Sequence, residues 1–233
     1  DSPLQRWEAQ ATLFDFVCRL ASGSDWDRPT PCAGWVARDV VAHLTSWVPA
    51  VLANAQVGAP ADRDTASDDA DDPATDWSRF RAWISSLLSD PDVAQRRFDV
   101  GPPGVMAVEE AVDRLVTPDV MFHAWDLGAA LGVDVAFDEG LCEQALEGMR
   151  PIGDILRSSG HFGPEVDVDS TRRAQDRLLG FVGRDPDWLD SHDRRSSPGP
   201  VGAVCVTWVR RPAQGHRSAL LDRHAARHPP TGD

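Results

Sequence analysis

An aspartate and a histidine four residues apart are the residues of this chain with the clearest capacity for metal chemistry. Asp119 and His123 open the segment Asp119-Val-Met-Phe-His123-Ala-Trp-Asp126. On a helix this spacing stacks the two side chains on one face, one turn apart. A carboxylate and an imidazole so arranged can bind one divalent cation, and a third ligand from another helix would leave one position open for substrate. The candidate third ligand is His43, far upstream in the sequence.

The same pair of residues can be explained without a metal. A histidine on the apolar face of a helix is more often a core residue than a ligand, and an Asp–His pair at this spacing is common on helix surfaces. The residues around Asp119 and His123 are apolar, however, so the carboxylate needs a partner, because burying an unpaired charge is costly. That partner could be a divalent cation, or it could be Arg38 or Arg114. The pattern alone gives the two interpretations equal weight.

Three further residues are candidates for roles near such a site. Asp126, three residues after His123, could hydrogen-bond the second ring nitrogen of a ligating histidine, act as a fourth ligand or cap a loop, and we favour the first or a structural role. Cys32 could be a nucleophile, although a buried structural thiol is the more common case. His161 lies in a loop, where it would either line a pocket or remain solvated.

The composition restricts the class of protein and its partners. The chain has 233 residues and a formal net charge of −14, which argues against nucleic acid and anionic membranes as partners. No apolar run is long enough to span a bilayer, and the first residues lack the layout of a secretory signal. The four cysteines are scattered without a CxxC pair, which predicts a reducing, cytoplasmic location.

Hydrophobic periodicity predicts an all-α fold. The three-and-four spacing of apolar residues indicates helices over residues 4–21, 36–56, 76–89, 106–131, 138–157 and 170–182. Pro49 and Pro118 are expected to kink the second and fourth of these helices. The sequence therefore predicts a helical bundle whose fourth helix carries the Asp–His pair.

Two low-complexity regions divide the chain. An acidic run over residues 58–75 is predicted to be a mobile connection between the second and third helices. Such a crossover indicates a four-helix bundle in which the second and fourth helices can face each other, so that His43 meets the Asp–His pair. Residues 190–233 carry seven Arg against four Asp. We therefore predict a bundle domain over residues 1–189 and an Arg-, Pro- and Ser-rich, poorly ordered tail over residues 190–233.

Three motifs occur in order between residues 4 and 188. They are Trp26-Asp-Arg-Pro-Thr-Pro-Cys-Ala-Gly-Trp35 with Val36-Ala-Arg-Asp-Val-Val-Ala-His43-Leu, then His123-Ala-Trp-Asp-Leu-Gly-Ala-Ala-Leu-Gly132, then Phe162-Gly-Pro-Glu-Val with Gln175-Asp-Arg-Leu-Leu-Gly-Phe-Val-Gly-Arg-Asp-Pro-Asp-Trp188. Together they resemble the mycothiol-dependent maleylpyruvate isomerase-like family, which lies within the DinB-like metal-binding four-helix bundles. The third motif is similar to that of a single-domain, actinobacterial branch.

The resemblance implies a DinB-like bundle that holds a divalent metal. The metal is usually zinc, with nickel as the alternative, and its ligands are a histidine of the second helix and an acid and a histidine of the fourth. Residue by residue these correspond to His43, Asp119 and His123. The acid is usually Glu in the isomerase, where this chain has Asp119. The isomerase also carries an additional C-terminal domain, and nothing after Trp188 resembles it.

On this basis we expect a metal-dependent transferase or isomerase that acts with a low-molecular-weight thiol, of which mycothiol is the candidate. The metal would lower the pKa of the thiol, and the thiolate would attack an electrophilic substrate. The predicted pocket is lined by Trp47, Trp125 and the loops around Trp35 and His161. A second copy of the chain, in a homodimer, is a further expected partner. Metal-assisted hydrolysis at the same site and a non-catalytic metal-binding module are the alternatives.

Overall fold

The computed structural model describes residues 1–60, 72–101, 103–158, 160 and 162–193, and these residues form a mainly helical fold. The helices are α1 (Pro3–Cys18), α2 (Ala37–Leu52), α3 (Pro73–Ser89), α4 (Pro91–Ala94), α5 (Val108–Ala111), α6 (Thr117–Leu131), α7 (Glu139–Met149), α8 (Gly153–Ser158), α9 (Ala174–Phe181) and α10 (Trp188–Asp193). Strands β1 (Arg97–Asp99) and β2 (Val105–Ala107) pair antiparallel. The predicted all-α class is confirmed. Within the described residues, no helix is both long and apolar enough to cross a membrane.

The four long helices α1, α2, α3 and α6 form a bundle. Helix α1 packs against α3 and α6, and α2 packs against the same two helices. Helices α1 and α2 therefore occupy opposite corners, and α2 is a direct neighbour of α6. The rings of Trp7, Phe14, Trp77 and Phe80 fill the core between α1 and α3, with centroid separations of 4.2–6.2 Å. The bundle thus brings together the two helices that carry the candidate ligands.

A side-chain cap fixes the start of α3. The Asp72 carboxylate accepts hydrogen bonds from two backbone N–H groups of the first turn, at 3.3 and 3.2 Å, and Pro73 occupies the first helical position, where no N–H is needed. Helix α3 therefore begins three residues before the predicted start, inside the segment predicted to be a connection. Residues 61–71 of that connection lie outside the described residues.

The predicted helix over residues 106–131 starts two residues late and is interrupted once. Its first two residues pair in β2, because the breaker-rich loop before them folds into a hairpin. A π-helical turn, Val112–Val116, then joins α5 to α6. Pro118 lacks an N–H and its ring crowds the carbonyl one turn earlier, and the wider π turn accommodates both effects. The structure thus has a π turn where a kink was predicted, directly before the residues of the candidate site.

The remaining helices pack as a smaller layer after the bundle. The predicted helix over residues 138–157 is divided by a 3₁₀ turn, Arg150–Ile152, into α7 and α8. Helix α9 packs against α7. The buried Gln175 amide ties α9 to the segment after α6, since it donates to the Val135 carbonyl and accepts from the Phe137 N–H, both at 2.8 Å. This layer therefore has a fixed position relative to α6.

The boundary predicted at residue 189 falls inside α10. Residues 194–233 lie outside the described residues. The separate tail stays a prediction.

Candidate metal centre

His43 of α2 and the Asp119–His123 pair of α6 come together in the structure. His43 Nε2 lies 3.3 Å from Asp119 Oδ2, and His123 Nε2 lies 3.4 Å from Asp119 Oδ1. The ligand atoms of all three residues lie within 4.8 Å of one another. The side chains of His43 and Asp119 are 29% and 27% exposed, whereas that of His123 is 5% exposed. We call these three residues the outer cluster, because two of their side chains lie partly open to solvent.

The outer cluster fits a divalent cation. Imidazole nitrogens and carboxylate oxygens are common ligands of zinc, and donor atoms bound about 2.0–2.2 Å from a tetrahedral ion lie roughly 3.4 Å apart. The two nitrogen–oxygen separations of 3.3 and 3.4 Å are close to that spacing, although each imidazole faces a different oxygen of the carboxylate. Three protein ligands would leave a fourth position for a water or a substrate atom. The assignment of His43, Asp119 and His123 as ligands remains a prediction, and the geometry is compatible with it.

The environment of Asp119 favours its ionised form. Burial of the carboxyl opposes ionisation, but the adjacent His123 and His43 imidazoles outweigh that effect and lower the pKa of Asp119 below its ordinary value. The indole Nε1 of Trp47 donates a hydrogen bond to Asp119 Oδ2 at 3.0 Å. Trp47, predicted to line the pocket, therefore contacts the carboxylate directly and fixes its orientation.

The arginines considered as partners of Asp119 pair elsewhere. Arg38 donates two hydrogen bonds to Asp27, and Arg114 lies 3.1 Å from Glu110. The explanation of the Asp–His pair as part of an Arg38 or Arg114 ion pair is therefore wrong. In the described structure the carboxylate faces imidazoles and an indole instead.

The second nitrogen of the His123 ring faces a different group of residues. His123 Nδ1 lies 2.9 Å from Asp126 Oδ2, the contact predicted from their three-residue spacing. The Asp126 carboxylate is fully buried and also accepts hydrogen bonds from Arg184 Nη2 at 2.8 Å and Arg184 Nε at 3.2 Å. The Cys32 thiol donates to Asp126 Oδ2 at 3.2 Å. We call Cys32, Asp126 and Arg184 the inner cluster.

The charges of the inner cluster make it unfavourable for a second cation. Burial opposes ionisation of Asp126, but the Arg184 guanidinium holds the pKa of that carboxyl well below its usual range. Burial and the Asp126 charge raise the pKa of the Cys32 thiol far above its ordinary value, so the thiol stays protonated. Cys32, His123 and Asp126 do have ligand atoms within 4.8 Å of one another. A metal there would be repelled by the Arg184 guanidinium, and the contacts of the inner cluster are those of a hydrogen-bonded ion pair.

The loop before α2 places Trp35 and Cys32 at the site. The Thr30 N–H donates to the Trp35 carbonyl at 3.0 Å, and the Thr30 hydroxyl accepts from the Cys32 N–H at 3.2 Å. The half-buried Trp35 ring stacks on His123 with a centroid separation of 5.8 Å and an interplanar angle of 18°. It also lies 5.1 Å from the His43 ring. Trp35 thus covers both imidazoles of the outer cluster.

The other two predicted pocket residues are placed differently. Trp125 is 7% exposed and belongs to the hydrophobic core. Two residues along a helix change direction by about 200°, so Trp125 leaves α6 on a different face from His123. His161 lies outside the described residues. The predicted roles of Trp125 and His161 in cofactor binding remain untested by the structure.

Sequence reasoning missed Arg184. It lies within the third motif, and Gly183 before it follows the periodic residues of α9 as a helix C-cap does, but neither signal assigned it a role. The pattern does not show which buried carboxylate the arginine reaches.

The bundle and the outer cluster together define a helical-bundle protein with a candidate divalent-metal site. Residues 7–128 match the family described as the mycothiol maleylpyruvate isomerase N-terminal domain. Since this match covers more than half of the chain, the chain belongs to that family, and its fold is the DinB-like four-helix bundle that the motifs indicated. The matched span contains the outer cluster and ends before Arg184.

The chain is also similar to uncharacterized proteins of two Mycobacterium tuberculosis strains, CDC 1551 / Oshkosh and ATCC 25618 / H37Rv. Each is 28% identical over 193 residues, which cover 78% of this chain and 97% of the relative. No solved structure matches the chain. The match covers nearly the whole length of these relatives, and their names state no activity.

Proposed function

We propose that this chain binds one divalent metal, with zinc favoured over nickel, and acts with a low-molecular-weight thiol as a transferase or isomerase. The observation that carries the proposal is the convergence of His43 Nε2 and His123 Nε2 on the Asp119 carboxylate, at 3.3 and 3.4 Å. Membership of a family named for mycothiol supports a thiol of that kind as the cosubstrate.

Four residues of the site would hold the metal, three as ligands and one by orienting a ligand. His43, Asp119 and His123 would be its ligands, and Trp47 would keep the Asp119 carboxylate turned toward the two imidazoles. A divalent cation bound there would supply the Lewis acidity that lowers the pKa of a thiol and so makes a thiolate nucleophile available near neutral pH. The chain itself would bind and orient the thiol and its electrophilic partner.

The uneven exposure of the three ligands favours one direction of approach. His123 is nearly covered, whereas His43 and Asp119 are more than a quarter exposed. The thiol and the electrophile would therefore enter over His43, whose ring lies 5.1 Å from Trp35 and 6.1 Å from Trp47. The two indoles would exclude water from that approach and strengthen the electrostatic interactions inside it.

Cobalt spectroscopy tests the thiol proposal. Co²⁺ would be loaded into the full chain and titrated with mycothiol or a simple thiol, and we expect a sulfur-to-cobalt charge-transfer band to appear. The band should be absent in His43→Ala. It should appear in the control variant Trp83→Phe, because the Trp83 indole of wild type donates to the Gly58 carbonyl and not to a residue of the outer cluster. A cobalt-loaded protein whose spectrum does not change when a thiol is added would contradict the thiol proposal. Thiol-independent cleavage of esters or amides would indicate a hydrolase instead.

A further inference from the structure

We infer that Arg184 is a positioning residue of the metal site, which acts through Asp126 to hold His123 with Nε2 turned toward Asp119 and His43. The inference rests on the proposed metal-binding function and deepens it. Arg184 lies outside residues 7–128, the span that matches the family, and the inference comes from its contacts in this chain.

The Asp126 carboxylate determines which nitrogen of His123 is free to bind a metal. An ionised carboxylate can only accept hydrogen bonds, so the His123 nitrogen 2.9 Å from it carries the proton. The proton on Nδ1 leaves the lone pair on Nε2, which faces the outer cluster. Asp126 therefore fixes both the tautomer and the ring orientation, provided that it stays ionised and in place.

Pairing with Arg184 keeps the buried Asp126 carboxylate ionised and in place. A fully buried carboxylate is strongly disfavoured unless it is paired, and the guanidinium binds it at two points, with nitrogen–oxygen distances of 2.8 and 3.2 Å. The same guanidinium lies over the Phe122 ring, 5.6 Å from its centroid, on α6 beside His123. The positive charge of Arg184 lies on the Nδ1 side of the His123 ring. A metal would therefore bind on the Nε2 side of that ring.

The backbone holds Arg184 in position independently of its side chain. The Arg184 N–H donates to the Leu179 carbonyl at 2.8 Å, and the Gly183 N–H donates to the Gly180 carbonyl at 3.0 Å, the two bonds of a Schellman C-cap on α9. Gly183 has a φ of +87°, and a Cβ there would come within 2.8 Å of the Gly163 backbone. A glycine is required at that position, and the rigid cap directs the next residue to Asp126.

Metal affinity in matched arginine variants tests the inference. Zinc affinity of the full chain would be measured by competition with a chelator for wild type, Arg184→Gln, Arg184→Lys and Arg172→Gln. Arg172 is the control, because it also makes a two-point ion pair in the C-terminal layer, with Asp187 at 2.8 and 3.1 Å. We expect zinc to bind about 10–100-fold more weakly to Arg184→Gln, the range for loss of a group that orients a ligand. Arg184→Lys should be intermediate, since lysine keeps the charge and loses the fork, and Arg172→Gln should match wild type.

Nitrogen-15 shifts of the His123 ring in the metal-free protein give a second readout. In the neutral form of the imidazole, wild type should show the Nδ1–H tautomer, and Arg184→Gln should show an increased share of Nε2–H. A folded Arg184→Gln protein with wild-type zinc affinity and an unchanged tautomer would overturn the inference. If wild type itself binds no zinc, the proposed function fails, and the tautomer comparison still decides the role of Arg184.

Discussion

The two sides of the His123 ring face opposite environments. On the Nε2 side, His43 and Asp119 are partly exposed, and within the described residues the carboxylate has two imidazoles but no arginine at salt-bridge distance. On the Nδ1 side, Asp126 is fully buried and the Arg184 guanidinium binds it at two points. In the inner cluster the carboxylate is fully paired, whereas the outer cluster brings together ligand atoms that could hold a divalent cation.

The difference separates residues that hold the fold together from residues that would bind a ligand. A buried ion pair is destabilised strongly when one partner is removed, because the other charge is left unpaired. When a carboxylate is removed from a partly exposed cluster, water can hydrate the groups that it contacted. Its removal therefore costs little stability. We therefore expect removal of the inner-cluster carboxylate to lower stability far more than removal of the outer-cluster carboxylate, while the outer cluster binds the metal directly and the inner cluster acts on it only by positioning His123. The variants below test that separation in stability.

The largest expected effect on stability is that of Asp126→Ala. This change leaves Arg184 buried without its partner, and we expect the free energy of unfolding to fall by about 3–5 kcal/mol. Asp119→Ala is the matched control in the outer cluster, and its loss should stay within about 1 kcal/mol. Urea denaturation of the metal-free proteins measures both values. Equal losses in the two variants would contradict the separation.

An intermediate effect is expected for Trp47→Phe. The change removes the indole N–H that donates to Asp119 at 3.0 Å and keeps an aromatic ring in place. Zinc affinity, measured by competition with a chelator, should fall by about tenfold, the lower end of the range for groups that orient a ligand.

Trp83→Phe is the control for that change, since it removes an indole hydrogen bond to the Gly58 carbonyl at 2.7 Å. It should leave zinc affinity unchanged. A similar loss in the two tryptophan variants would show that Trp47 acts only on general stability.

The smallest expected effect concerns the reactivity of Cys32. Burial and the Asp126 charge raise the pKa of its thiol, so at neutral pH less thiolate is present than in a free cysteine and alkylation should be slow. In Asp126→Asn the negative charge is lost and Arg184 remains nearby, so the pKa should fall and alkylation by iodoacetamide should become several-fold faster.

Peptide mapping by mass spectrometry gives the rate at each cysteine. The buried Cys18 is the internal control, because burial and Asp15 rather than Asp126 raise the pKa of its thiol. Its rate should not change in Asp126→Asn. Equal acceleration at Cys18 and Cys32 would point to unfolding of the variant rather than to a local change of charge.

Sequence reasoning reached the outer cluster because its geometry follows from regular structure. The four-residue spacing of Asp119 and His123 acts within one helix, and packing of the second helix against the fourth brings in His43. Helical geometry also shows that Trp125, two positions after His123, leaves α6 in a different direction, but its burial comes from packing around all of α6, where residues 120–130 are buried.

The inner cluster and the irregular elements could not be predicted in the same way. Arg184 reaches Asp126 across 58 residues of sequence, through a helix cap and the packing of α9. The π turn before Pro118 and the β1–β2 hairpin depend on how local strain and backbone hydrogen bonds are accommodated within the packed bundle. No periodicity in the sequence reports those contacts.

The metal content of the full chain tests the central claim most directly. Wild type, His43→Ala and His192→Ala would be loaded with zinc and measured by elemental analysis and calorimetry. His192 is the control, since it is exposed and stacks on Trp188 at a centroid separation of 4.0 Å. We expect wild type and His192→Ala to bind one zinc ion per chain more than His43→Ala. Equal zinc content in all three proteins would contradict a metal centre formed by His43, Asp119 and His123.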